Sequence, residues 1–235
     1  MIAVMGVSAK DSKLAVDWLN WHLDMPQPPS RHELMFGFAR SVPAGDYAEI
    51  EQSMSSRSTF ILHDENEAGY PISASHLFVR CMEFVSAFRP RQPILWLEPD
   101  AIPVKPGWLD AIADEYEICG KPFMGHLEPL CRPPHLAGVA VYPPNWEKLA
   151  PNLYKVLEAG DIPTWGPGLG QAFDMYAGPQ IYPQAAQSKT IQQVWKCPPF
   201  TEDNLDLVKP DTYLFHQCKD GSLIRELRKN QFHEA

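Results

Sequence analysis

Apolar positions recur along this chain in two periods. Short, nearly unbroken apolar runs at residues 2–7, 34–39, 59–63, 94–97, 122–126 and 138–142 read as strands buried on both faces. Between them the spacing lengthens to the helical one. Residues 12–25 place Leu14, Trp18, Trp21 and Met25 at intervals of four, three and four, which predicts a helix. Residues 72–88 carry Leu77, Phe78, Cys81, Met82, Phe84, Val85 and Phe88 on one broad face, and this is the strongest helical signal in the chain. Residues 107–116 predict a shorter helix. Residues 145–158 predict one burying Trp146, Leu149, Leu153 and Leu157. A Gly-rich turn over 165–176 leads into a helical segment, and a short helix over 222–228 closes the chain.

Strands and helices alternate through the first 126 residues, the pattern of a mostly parallel, doubly wound α/β sheet flanked by helices. Ligands of such sheets lie at the carboxyl ends of the strands. Three acids fall there: Asp64 after the third strand, and Glu98 and Asp100 after the run Ile94-Leu-Trp-Leu97. Residues i and i+2 of an extended chain project to one side, so Glu98 and Asp100 can face a single ligand, and Pro99 and Pro103 stiffen their turn. Two carboxylates so close repel unless a cation or proton lies between them, so the pair predicts a divalent metal whose business is a phosphate. The competing reading is a pair of turn-capping acids.

Length and composition narrow the picture. With 235 residues and 45% apolar content the chain is read as one domain. A net charge of -9 disfavours a generic nucleic-acid or anionic-membrane binder. No apolar run reaches membrane-spanning length, and residues 1–7 read as a first strand rather than a signal peptide, so the expectation is a cytoplasmic protein. Five cysteines without C-x-x-C spacing favour reduced thiols over zinc or disulfides. The 24 prolines cluster at 26–29, 132–134, 143–144 and 198–199 among dense apolar residues, which marks long ordered loops.

A hydrophobic strand ending in Glu98-Pro99-Asp100, a later strand His135-Leu-Ala-Gly-Val-Ala-Val-Tyr142, and a C-terminal Phe215-His-Gln-Cys-Lys-Asp-Gly221 together resemble the metal-dependent, nucleotide-sugar glycosyltransferases of the Rossmann-like GT-A fold, of the small phage or bacterial type. The first acid departs from the family's D-x-D pattern, being Glu. The resemblance implies Asp100 and His216 as ligands to Mn2+ or Mg2+, with Glu98 a further ligand or acting through water or the ribose. Lys219 would lie near the phosphates. It divides the chain into a nucleotide-sugar half, 1–126, and an acceptor half with a metal-closing C-terminal segment, 127–235. Donor contacts are expected from Val7, Ser8, Lys10 and Asp64, from Gly69 and Tyr70 at the start of the long helix, and from His135 and Gly138. Asp174, with Asp161 second, is the candidate general base or oxocarbenium-stabilising acid. Trp165 and Gly166 are candidates for the acceptor.

Each assignment has a structural alternative. His216 and His135 could be buried, hydrogen-bonded histidines, Asp64 a turn acid, Lys10 and Asp174 solvated residues, and Trp165 a ring packed beneath its own loop. The expected activity is transfer from a UDP-sugar to a hydroxyl of a saccharide, a protein or a hydroxymethylated DNA base. Arg89, Arg91, Arg225, Arg228 and Lys229 are the hint of a phosphate-backbone contact. A metal-dependent nucleotidyl or phosphoryl transferase and a non-catalytic carbohydrate-binding module remain as alternatives. Gly166-Pro-Gly-Leu-Gly170 is no dinucleotide fingerprint, since no strand precedes it, and no nucleophile elbow occurs.

Overall fold

A computed structural model describes residues 1–54, 58–62, 72–155 and 173–231. Within them a seven-stranded sheet has the order β3-β2-β1-β4-β7-β6-β8. Its strands are β1 (Ile2–Val7), β2 (Glu33–Ala39), β3 (Thr59–Leu62), β4 (Ile94–Leu97), β6 (Phe123–Glu128), β7 (His135–Tyr142) and β8 (Ala185–Gln187). Strands β1 to β4 are mutually parallel, Met5 pairing with Leu97 across β1 and β4. Strand β7 runs antiparallel to β4 and β6, and β8 returns parallel to β6. The sheet is therefore mixed in the half where the helix–strand alternation weakens.

The two sides of β4 feed two cores. Leu95 and Leu97 join Trp18, Trp21, Trp108 and Phe215 on one face, while Ile94 and Trp96 join Phe78, Val85, Tyr142 and Phe173 on the other. The first face is covered by α1 (Ser12–Asp24), α4 (Trp108–Cys119) and α8 (Ser222–Gln231). The second is covered by α3 (Ile72–Phe88) and α7 (Phe173–Ile181). Alternation along a strand buried on both sides requires this division.

Three features differ from the periodicity reading. Of the helix expected over 145–158, the described residues form two short pieces, α5 (Trp146–Leu149) and α6 (Asn152–Lys155), because Pro151 lacks the N–H that would continue the ladder; Leu157 lies outside the described residues. A further helix, α2 (Ala44–Ser53), buries Ile50 alone, which left it without an apolar stripe to read. Phe84 and Phe88, expected on the apolar face of α3, are both exposed to solvent. All five cysteines are free thiols.

A second, three-stranded sheet of order β5-β10-β9 stands at the carboxyl edge of the first. It consists of β5 (Ile102–Pro103), β9 (Ile191–Gln193) and β10 (Leu214–His216). Its pairings join distant parts of the chain, Phe215 opposite Ile102 and His216 opposite Gln193. Glu115 of α4 braces its approach, accepting hydrogen bonds from Ser188 Oγ, from the N–H groups of Lys189 and Thr190, and from Thr190 Oγ1.

Candidate functional site

The site is built where β4 ends. The Ala101 N–H donates to the Glu98 carbonyl, closing a turn over Glu98-Pro-Asp-Ala101. Two tryptophans fix the outgoing chain from below. Trp18 Nε1 donates to the Ala101 carbonyl at 2.5 Å, and Trp21 Nε1 donates to the Pro103 carbonyl at 2.7 Å. The helical spacing that buries these rings thus also aims their N–H groups at the acid turn. From the far end of the chain, the Cys218 N–H donates to the Asp100 carbonyl, and the antiparallel β5–β10 pairing carries His216 to the same place.

The result is a cluster of Glu98, Asp100 and His216 whose candidate ligand atoms all lie within 4.8 Å of one another. His216 Nε2 is 3.3 Å from Glu98 Oε2 and 3.3 Å from Asp100 Oδ1. Asp100 and His216 are buried, and Glu98 is partly open to solvent. Burial alone would strip the proton from His216, but the Asp100 carboxylate and then Glu98 outweigh it and push the imidazole up to about 10. Burial likewise opposes charge on Asp100, yet His216, with Lys219 beyond it, holds that carboxyl below its usual range. The cluster is organised for positive charge.

Its chemistry fits a divalent ion. The Gln193 side-chain carbonyl, 2.7 Å from His216 Nδ1, must accept a proton from that nitrogen, so in neutral imidazole the Nε2 lone pair faces the two acids. Ligand bonds of about 2.1 Å set at right angles put donor atoms about 3 Å apart, close to the separations found here. Two carboxylates and an imidazole form a mixed oxygen and nitrogen set that suits manganese better than magnesium.

A second pair adjoins the first. His135 Nδ1 donates to the Pro133 carbonyl at 3.1 Å, and its Nε2 lies 4.0 Å from Asp174 Oδ2 in the first turn of α7. Burial raises the proton affinity of Asp174; His135 opposes the rise and Glu98 adds to it. Gly138 on β7 makes the two groups neighbours, since a Cβ there would stand 3.0 Å from Glu98 Oε1 and 3.2 Å from Phe173.

Of the remaining expected donor contacts, Val7 is fully buried at the end of β1, Ser8 Oγ donates to Asp11, and Lys10 is exposed. The β1 and β4 ends leave the sheet on one edge because the two strands are parallel. Lys219 lines a cavity of about 190 Å³ with Lys196, Cys197, Pro199, Gln217 and Asp220. Two of its lining residues, Lys196 (φ 53°) and Gln217 (φ 89°), are non-glycines in the left-handed region, a strain that clusters at functional sites. Asp64, Gly69, Tyr70, Asp161, Trp165 and Gly166 lie outside the described residues. Sequence reasoning missed Gln193, Gln217 and the two tryptophan N–H contacts. Gln193 offered no signal, being one polar residue in a three-residue strand.

No protein-family model matches this sequence, and neither does any curated protein. Solved structures do resemble the fold. An active-site mutant of LgtC superposes with a TM-score of 0.56 at 9% identity, over 98% of this chain and 96% of that one. Mouse xyloside xylosyltransferase 1 does so with a TM-score of 0.52 at 13% identity, over 92% of this chain and 98% of that one. The glycosyltransferase GlyE of Streptococcus pneumoniae matches at 0.52 and 9% identity, over 80% of this chain but 45% of its own. The fold is the mixed α/β, GT-A-like fold common to these glycosyltransferase structures.

Proposed function

We propose that this protein is a metal-dependent glycosyltransferase that moves a sugar from a nucleotide-sugar donor, a UDP-sugar in the favoured case, to a hydroxyl acceptor. The observation that carries the reading is the meeting of Glu98, Asp100 and His216 at the carboxyl edge of a GT-A-like sheet. Asp100 and His216 would hold Mn2+ or Mg2+, with Glu98 as third ligand or ribose contact. When bound, the ion would neutralise charge growing on the diphosphate leaving group, worth several kcal/mol in such reactions.

The chain's own groups supply the rest. Lys219, close enough to stabilise the Asp100 carboxylate, adds a point charge beside the departing phosphate, and Gln217 reaches to 3.5 Å from His216 Nε2. Ser8 and Lys10 meet the base and ribose, while Val7, expected among the donor contacts, is fully buried in the core and only anchors the end of β1 behind them. His135 orients the donor sugar, and Gly138 leaves room for the Glu98 carboxylate. Asp174, whose proton affinity is raised, either accepts the acceptor's proton or stabilises positive charge on the reacting sugar. Asp64, Gly69 and Tyr70 on the donor side, and Asp161, Trp165 and Gly166 on the acceptor side, complete the assignment.

A saccharide acceptor is favoured over a hydroxymethylated DNA base. Arg89 and Arg228 pair with Glu33 and Asp24, Lys229 pairs with Glu226, and Arg225 donates to the Asp220 carbonyl, so four of the five basic residues that hinted at a phosphate backbone are already engaged. A two-metal nucleotidyl transferase would want more carboxylates than this three-ligand cluster. Incubation with manganese and a panel of UDP-sugars tests the reading. UDP release that stops on chelation supports it; pyrophosphate from a nucleoside triphosphate, or glycan binding without turnover, overturns it.

A further inference from the structure

The ligand His216 is the inner end of a chain of hydrogen bonds that leads to the surface. Gln193, which accepts from His216 Nδ1, donates through its Nε2 to Glu128 Oε1 at 2.9 Å. The same Glu128 oxygen accepts the indole N–H of Trp195 at 2.6 Å, and His126 Nε2 lies 3.6 Å from it. Trp195 is 57% exposed. An exposed tryptophan usually leaves its N–H to water and its ring free to swing. Here the N–H is tied to a mostly buried carboxylate, so the ring is held at a set place while its faces remain open.

A fixed, solvent-facing indole three hydrogen bonds from a candidate metal ligand is poorly explained by packing. Its π-face is apolar and weakly negative. The natural complement is the C–H face of a pyranose, which is apolar with a slight positive polarity. Next to the same Glu128 and His126 lies a cavity of about 340 Å³ lined by His126, Gln187, Ser188, Lys189, Gln192 and Lys209. That volume and that set of donors and acceptors suit the hydroxyls of one or two sugar rings. Strand β6, which carries His126 and Glu128, lies on the side of β4 away from β1 and β2. Trp195, bonded to Glu128 at the end of β6, is thus tied to the other side of β4 from the strand whose loop is assigned to the donor base.

We propose that Trp195 is the stacking platform for a saccharide acceptor, held in register with His216 through Glu128 and Gln193, and that the cavity beside His126 takes the hydroxyls of the bound glycan. The proposal rests on the glycosyltransferase reading and names the acceptor surface within it.

Incorporation of 5-fluorotryptophan gives each indole its own fluorine resonance, and loss of one peak in Trp195→Phe identifies the one of interest. Titration with methyl galactoside, glucoside, xyloside and glucuronide and with lactose should shift that resonance saturably, while UDP alone should not. In transfer assays Trp195→Ala should raise acceptor KM about 3- to 10-fold, and Trp195→Phe less, matching the usual worth of an aromatic contact. Exposure of the ring predicts an unchanged melting temperature. A resonance unmoved by every saccharide at millimolar concentration, or moved by UDP alone, overturns the proposal. Absence of UDP release from any donor by the wild-type protein defeats the glycosyltransferase reading instead, and the fluorine titration reports on sugar binding either way.

Discussion

His216 Nδ1 lies 2.7 Å from the side-chain oxygen of Gln193, and that contact decides which imidazole nitrogen faces Asp100 and Glu98. An amide oxygen only accepts, so Nδ1 keeps its proton and Nε2 is left to bind a cation. Gln193→Leu should weaken manganese binding about 10- to 100-fold, the usual effect of losing an outer partner of a metal-binding histidine. Calorimetric titration with manganese checks it. Unchanged affinity would remove Gln193 from the site's design.

The acid turn depends on Trp18 as a hydrogen-bond donor as well as a core ring. Trp18→Phe keeps most of the apolar volume but leaves the Ala101 carbonyl without this partner. A cost of about 1–3 kcal/mol in urea unfolding is expected, together with a fall in kcat, because the Ala101 carbonyl adjoins Asp100. A fall in stability with full activity would show that the turn holds its shape without the tryptophan.

Two glycines should respond in different ways. A Cβ on Gly6 would stand 2.2 Å from the Trp96 ring, inside the core, so Gly6→Ala should cost about 1–3 kcal/mol or more of stability. At Gly138 the nearest atom is Glu98 Oε1, the far end of a flexible chain. Gly138→Ala should therefore cost less stability than Gly6→Ala, the buried Phe173 ring at 3.2 Å having to give a little, and should displace Glu98, lowering manganese affinity and turnover together. Thermal melts and metal titrations of the two variants separate these outcomes.

His22 supplies a pH test away from the site. Its ring stacks on Trp18 and accepts the Trp108 N–H at 3.3 Å, and burial lowers its pKa to about 4. Between pH 4 and 6.5 the unfolded chain binds a proton that the folded chain refuses, so stability rises with pH across that window. The contribution is complete above about 6.5 and lost as pH falls toward 4, amounting to about 3 kcal/mol. His22→Gln, which keeps an acceptor for Trp108, should flatten this part of the stability profile. Parallel profiles for the two proteins would contradict the assignment.

The elements legible in the sequence were those with a continuous local signal. The run Ile94-Leu-Trp-Leu97 with its terminal acids is β4 as read, and residues 72–88 form α3 to the residue. Strands β5, β9 and β10 were not legible, because two or three residues carry no period and their pairing, Phe215 with Ile102, spans more than a hundred positions. His216 was reached only through resemblance for the same reason. The antiparallel entry of β7 was equally hidden, since apolar alternation is the same in either strand direction. The paired histidine and carboxylate at 135 and 174 were each visible, but not their separation of 4.0 Å, which α7 sets by packing on β7.

Manganese titration in the presence of UDP, for the wild-type chain and for Asp100→Asn, tests the central claim most directly. One saturable ion per wild-type chain, with affinity reduced at least about 100-fold in a folded Asp100→Asn, is the predicted result. Wild-type protein that takes up no ion, or an Asp100→Asn variant that binds manganese as tightly as the wild type, would contradict it.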